Sequence, residues 1–460
     1  MDLELLSRIQ FAFTIAFHYI YPPLSIGLGV VIVGLEGLFL NTKNPLYAKL
    51  SRFWIKIFAL IFGIGVATGI VMEFEFGTNW ATYSRFVGDI FGSALAAEGI
   101  FAFALESGFL GVLLFGWNKV SPKMHFFSAV MVTLGSMFSA VWIVVANSWQ
   151  QTPAGYHLVG HGLAVRAEVT DFWAMVFNPS SVDRLLHVWV GAFLAGSFLV
   201  LSVHAYYIYK NKHVEISKRA FKVALAIATV SALLQLFIGD RSAKGVAVNQ
   251  PAKLAAFEGH YDSLAAADMY LIGYVNIKKE QVTGIKISGG LSYLIDGNFS
   301  TPVKGLRYFK PEDRPTAVNF VFQTYHFMVA IGLLLIALTL YAAFLFWRKK
   351  LFEKKWLMLV FAFSVLLPEI ANQLGWYSAE VGRQPWVVYG LLRTSDALSK
   401  SVKENEVWFS LILFTLLYLL LFALFIYLLN KKIQHGLDEN DGEITDAMPS
   451  TTKLDDPLIH

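Results

Sequence analysis

Long apolar runs alternate with short polar connections along most of this chain. Nine runs, at about 9–40, 53–73, 90–117, 124–147, 185–209, 219–239, 318–347, 356–377 and 407–430, hold almost no Lys, Arg, Asp or Glu. Each reaches the roughly 20 residues that a helix needs to cross a hydrocarbon core. The pattern predicts an all-α polytopic membrane protein with nine transmembrane helices. Residues 1–239 would hold six of them, 240–317 one long outer loop, 318–430 the last three, and 431–460 a polar, flexible tail. The opening MDLELLSRIQ is acidic where a secretory signal is basic, so the first span is expected to be retained.

Basic residues orient the spans. With the N-terminus outside, the inner connections carry 17 Lys and Arg, the short outer ones 8. The C-terminus is then cytoplasmic and the 240–317 loop outer. Composition narrows the class further. The chain is 56% hydrophobic and 15% charged, against roughly 25% charged in a soluble domain. With no cysteine, disulfides, covalent c-type haem and thiolate-held clusters are excluded. The net charge of +4 is scattered and no Gly-rich phosphate motif occurs, so no nucleic-acid partner is expected.

Ionisable groups inside a bilayer are costly and are functional candidates by default. His18, Glu98, Glu106, His187 and His326 lie within or at the edge of spans, and Glu380 follows the eighth. In the predicted topology most of them share the outer half of the membrane. Imidazole, thioether and carboxylate can all ligate haem iron, so His18, His187 and Met328 are candidates. Helix–helix hydrogen bonds or ordinary packing are the simpler alternatives for each. His326, two residues from Met328, competes with it on another face. Glu98 and Glu106 are eight residues apart, about 12 Å along a helix and about 80° around it, and Glu106 could relay protons. His125 and His204 read as interfacial anchors, and the histidines outside the spans are assigned to no metal. MEFEFGTNW at 72–80 is expected to put Glu73 and Glu75 at the outer surface. In AEVGRQPW at 379–386, Arg383 could hold Glu380 ionised or clamp a haem propionate. Lys253 and Glu258, taken alone, are surface charges.

Here the sequence resembles the large haem-bearing subunit of cytochrome bd-type quinol oxidase, over about residues 5–430. The resemblance rests on MEFEFGTNW at 72–80, GDIFG at 88–92, AEG at 97–99 with a second Glu at 106, VAN at 145–147, KLAAFE at 253–258 and AEVGRQPW. It implies a quinol donor, reduction of O₂ to water, and three haems: low-spin b, high-spin b, and haem d or a third b. It implies His187 and Met328 as ligands of the low-spin haem. His18 and Glu380 would ligate the two haems of the oxygen site, with Glu98 beside them. Glu106 matches a proton-path carboxylate, and Lys253 and Glu258 match the quinol-binding loop. Arg383 resembles an arginine near haem propionates, and Trp376 joins the cofactor-binding set. A second multi-span subunit, with a small single-span subunit as its optional companion, and a bacterial cytoplasmic (inner) membrane complete the expectation.

The chain departs from that pattern twice. Its 240–317 loop is the short form. His326 stands where some relatives have arginine, which predicts a lower low-spin haem potential because less positive charge favours the ferric state. A redox titration of His326→Arg tests this, since an unmoved potential contradicts it. Two other readings use the same residues. An electron-transfer cytochrome b would pair His187 with His204, and an ion-coupled transporter would use Glu98 and Glu106.

Overall fold

The structure is a computed structural model that describes residues 2–437. Among these, nine helices are long and apolar enough to cross a membrane. They are α1 (Leu3–Thr42), α2 (Pro45–Thr78), α3 (Gly88–Phe115), α4 (Pro122–Gln151), α5 (Ser181–Tyr209) and α6 (Val214–Asn249). After a short α7 (Pro251–Glu258) come α8 (Val318–Trp347), α9 (Lys355–Val381) and α10 (Glu404–His435). Local chemistry starts several of them. Asn44 accepts the Leu46 N–H at 3.0 Å and Ser121 that of Met124 at 3.3 Å. In both cases proline follows, where its missing N–H costs nothing.

Most helices run beyond the apolar stretch that announced them. α6 continues ten residues past 239 because a helix outside the hydrocarbon can carry charge. There Asp240 pairs with Lys244 at 2.7 Å, and Arg241 reaches Asp183 at 2.6 Å. The expected loop 240–317 therefore begins as helix and carries KLAAFE on α7. At the other end α10 runs through Lys432 to His435. The rest of the expected tail, residues 438–460, lies outside the described residues.

Three spans are irregular. α1 breaks at Tyr19–Ile20, where Pro23 has no N–H for the Tyr19 carbonyl, and leaves His18 at the break. α9 breaks at 364–365 for the same reason, with Pro368 four residues after Ser364. α3 holds a π-helical segment, Glu98–Phe103.

α5 is the central helix, with α1, α6, α4 and α9 against it. At its crossing with α1, two glycines set the approach. A Cβ on Gly27 would strike the Ala192 carbonyl, and one on Gly196 would strike the Gly27 backbone. Backbones meet this closely in membranes where small residues permit it.

Expectations fail for three residues. His125 and His204 are 2% and 0% exposed, so they are core residues and not interfacial anchors. His125 Nδ1 meets Glu36 at 2.9 Å and its Nε2 meets the Leu113 carbonyl at 3.1 Å. Trp54 donates to His204 Nε2 at 3.1 Å, leaving Nδ1–H for Ser217 at 3.1 Å. Glu75, expected at the outer surface, is 2% exposed. Pairing inside the bundle is cheaper than an unpaired group in hydrocarbon, which accounts for the two histidines; both carboxyl oxygens of Glu75 are buried without a hydrogen-bond partner.

Three small antiparallel hairpins lie in the connections. They are β1 (Tyr156–Val159) with β2 (Arg166–Val169), β3 (Met269–Asn276) with β4 (Gln281–Ile287), and β5 (Trp386–Val388) with β6 (Leu392–Arg393). β3 is sewn along the first turns of α8. Asn319 accepts the Val275 N–H at 2.9 Å, Gln323 donates to the Gly273 carbonyl at 2.7 Å, and His326 Nε2 meets the Tyr270 carbonyl at 2.7 Å.

Candidate functional site

One cavity of about 1630 Å³ opens within the bundle, larger than the roughly 300–1,000 Å³ of a pocket for one small molecule. Residues from five spans, α7 and the turn after α9 that the sequence singled out line it: His18, Glu98, Glu106, His187, Lys253, Met328, Trp376, Glu380 and Arg383. They surround the space without clustering. Among the described residues no three His, Asp or Glu groups come together as a cage for a bare ion.

Each candidate is oriented by a neighbour. Thr68 Oγ1 lies 3.0 Å from the Ile64 and Gly65 carbonyls and 3.0 Å from His18 Nδ1. A hydroxyl that gives its proton to a helix carbonyl must accept from the ring. His18 Nδ1 then carries the proton and Nε2 keeps a lone pair. His187 is covered by the Gln235 amide, 3.1 Å from Nδ1 and 3.3 Å from Nε2. Met328 Sδ lies over Gly375, where a Cβ would approach it to 2.8 Å. His326 does not share this position. Its Nδ1 meets the Phe322 carbonyl at 2.8 Å, and its ring stacks on Phe322.

The π-helical segment changes the relation of the two glutamates. Its wider turn absorbs one extra residue, so the expected 80° offset closes to about 20°. Both now face α4. Ser139 donates to Glu98 at 2.5 Å, and Glu106 packs over Gly135, where a Cβ would come within 2.5 Å of its Cγ.

At the end of the cavity beside α7 the motifs meet physically. Glu380 Oε1 accepts from Asn147 at 3.1 Å and Gln151 at 3.2 Å, and Oε2 pairs with Arg383 at 2.5 Å. Arg383 also donates to Gln150 at 3.1 Å and to the Trp386 carbonyl at 3.2 Å. Lys253 Nζ donates to Gln151 at 2.7 Å and Gln250 at 2.9 Å. Lys253 and Glu258 are 2% and 3% exposed, so neither is a surface charge. Burial first, then Arg184 and Arg383, holds the Lys253 ammonium well below the usual lysine range, against the pull of Glu380. Burial pushes the Glu258 carboxyl up to about 8, and its Oε2 lies 4.0 Å from His326 Nε2.

Sequence reading missed several contributors. Arg184, counted only as an outer charge, lines the cavity and donates to Asn147. Its place three residues before His187, on the same helix face, was the available signal. Glu36 and Glu369 are carboxylates inside spans and were equally visible. Thr68, Gln150 and Gln235 left no signal, because neutral polar residues are common in membrane helices.

Comparison with known proteins bears directly on this cavity. Residues 6–437 match the family described as Cytochrome bd terminal oxidase subunit I. The chain belongs to that family. It is 36% identical to cytochrome bd ubiquinol oxidase subunit 1 of Bacillus subtilis (strain 168), over 100% of this chain and 99% of that protein. It is 32% identical to cytochrome bd-II ubiquinol oxidase subunit 1 of Escherichia coli (strain K12), over 95% and 97%. The bd oxidase structure from Geobacillus thermodenitrificans superposes with a TM-score of 0.87 at 27% identity, covering 95% of this chain and 99% of that one.

Membership in the cytochrome bd family makes this chain a haem-bearing terminal oxidase subunit of a bacterial membrane that works with a second subunit. It decides against an electron-transfer-only cytochrome b and against a transporter. The donor set fits haem. A macrocycle supplies four ligands to its iron and needs only single axial groups from the protein, and single imidazole, thioether and carboxylate groups are what this cavity presents. Of the four lone-pair sites on Glu380, the hydrogen bonds above use three, which leaves one for a metal.

Proposed function

We propose that this chain oxidises membrane quinol at its outer face and reduces O₂ to water at a di-haem site, building proton-motive force without a pump. The observation that carries the reading is the shared cavity, which nine of the residues singled out in the sequence line. His187 and Met328 would hold the low-spin haem b. His18 and Glu380 would hold the high-spin haem b and a haem d or third haem b, with Glu98 and Trp376 alongside. Bound there, these groups supply one-electron storage and an iron that binds oxygen.

The chain's own residues do the rest. Lys253 and Glu258 bracket the quinol headgroup beside α7. Lys253, with its ammonium disfavoured, offers a hydrogen bond to a quinol oxygen, and Glu258 in its ionised form takes a hydroxyl proton. Arg184 and Arg383 give the outer end of the cavity the positive charge that haem propionates require. Glu106 and then Glu98, on one face against α4, pass protons toward the oxygen site.

The orientation rests on the excess of basic residues in the inner connections, which puts the N-terminus outside; the membrane is taken as the bacterial cytoplasmic one on the family resemblance. Quinol protons leave on the outer side, and protons for water come from the cytoplasm. Each such proton crosses most of the membrane potential, worth about 2.3 kcal/mol per 100 mV, so about one charge moves per electron. The partners are a second multi-span subunit and, as an optional companion, a small single-span one. Glu106→Gln should keep the haems and slow quinol-driven oxygen uptake. Wild-type turnover in that variant, with haem content intact, would remove Glu106 from the proton path.

A further inference from the structure

Glu369 shares with Glu75 a position that leaves both carboxyl oxygens buried without a hydrogen-bond partner. It lies on α9, about three turns before Glu380, and both of its carboxyl oxygens are shut off from solvent. Three and four residues further along the same helix, Asn372 Nδ2 and Gln373 Oε1 are also unsatisfied, and Gln235 Oε1 of α6, whose side chain meets Asn372 at Gly191, is a third. Gln373 is fixed by its Nε2, which donates to the Ala16 carbonyl at 2.8 Å. Asn372 is fixed against α5, its Oδ1 lying 2.9 Å from where a Cβ on Gly191 would stand. Buried polar groups with spare donors and acceptors are the groups that ordered water satisfies. Asn372, Gln235 and Tyr19 line the cavity with His18, and Glu369 lies one helical turn behind Asn372. Tyr19 of α1, within electrostatic range of Glu369, and Arg184 and His187 of α5 are the titratable side chains on that side.

On the other side of Glu369, α9 is broken at 364–365. Ser202 of α5 donates to the Ala362 carbonyl, and Ser364 Oγ turns back to the Phe361 carbonyl at 2.7 Å. Broken backbone at membrane depth is tolerated where protein or water satisfies it. A carboxyl between the polar side chains of this part of the cavity wall and a helix break has a way in and a way out for a proton.

We propose that Glu369 is a proton-holding acid of the oxygen site, on a different wall from Glu98 and Glu106. Its O–H bond breaks as a proton passes to water beside Tyr19 and ends in product water. The carboxylate is reprotonated by water reaching it from the inner side through the break. No electron moves at Glu369; the electrons are those of the quinol. The proposal rests on the oxidase reading above.

The test uses the whole purified complex as wild type, Glu369→Gln and Glu369→Asp. Infrared reduced-minus-oxidised spectra are recorded in H₂O and D₂O, with haem content and quinol-driven oxygen uptake on the same samples. The expected result is a protonated-carboxyl band, shifted by D₂O, that vanishes in Glu369→Gln and moves in Glu369→Asp. Oxygen uptake should fall at least tenfold in Glu369→Gln and recover in part in Glu369→Asp, at unchanged haem content. A Glu369→Gln complex with full haem and the wild-type carboxyl bands overturns the proposal. If that variant does not assemble, Glu369→Asp decides: a displaced band supports the proposal and an unmoved one overturns it. Wild type without haem or oxygen uptake would instead overturn the oxidase reading itself.

Discussion

Glu258 gives the sharpest quantitative expectation. Its carboxyl is 3% exposed, Oε2 has no hydrogen-bond partner, and burial raises it from 4.5 to about 8. As the base that takes a quinol proton it works only when ionised. About one tenth of such groups are ionised at pH 7 and about nine tenths at pH 9. The quinol kcat/KM should therefore rise roughly tenfold across that interval, with its midpoint near 8. Glu258→Gln keeps the shape and removes the base, so kcat/KM should fall by about 10²–10⁴-fold and lose the limb. The assay is oxygen uptake against pH at sub-saturating quinol, with the reduced spectrum recorded to show that haem content is unchanged. A variant that keeps the wild-type limb would show that the rise belongs to the quinol or to another residue, and the reasoning about Glu258 would fail.

Three further substitutions test the geometry. Gly375→Ala puts a Cβ 2.8 Å from Met328 Sδ, so the sulfur must withdraw by about 1 Å to reach ordinary contact. The low-spin haem band should weaken or shift, and an unchanged spectrum would separate Met328 from that haem. Thr68→Val preserves shape but removes the acceptor that fixes the His18 tautomer, which should weaken haem retention at His18 by about 10–100-fold. Haem-to-protein ratio reads this, and full retention would contradict it. Gly196→Val wedges the α1–α5 crossing and should destabilise the bundle by about 1–3 kcal/mol, seen as a lower Tm in detergent. An unmoved Tm would mean that the crossing relaxes freely.

The spans were legible because a bilayer demands about 20 apolar residues in each, and nothing else in a chain gives that pattern. Helix ends were less legible: the Asp240–Lys244 turn of α6 is charged, and hydropathy stops where helix need not. The breaks at Tyr19–Ile20 and 364–365 were signalled by Pro23 and Pro368. The π-helical segment at Glu98 was not, since no residue type demands one. His18, His187 and the glutamates of α3 stood out as polar groups in an apolar run. Their supports did not: whether Thr68, Gln235 or Asn147 turns toward a neighbour depends on helix rotation and partner, which no local pattern records. Glu36 and Glu369 show the opposite case, with charges in plain view inside spans whose role emerged only from their surroundings, a buried His125 for one and an absence of partners for the other.

The central claim is that the cavity holds haems through which quinol electrons reach oxygen. A reduced-minus-oxidised visible spectrum of the purified complex, reduced with quinol without oxygen and reoxidised by air, with haem extracted from the same sample, tests it most directly. The account predicts b-type bands, with a far-red chlorin band if one haem is d, that appear with quinol and collapse on admitting oxygen. A folded, colourless complex, or haem bands that quinol fills and oxygen leaves untouched, would contradict it.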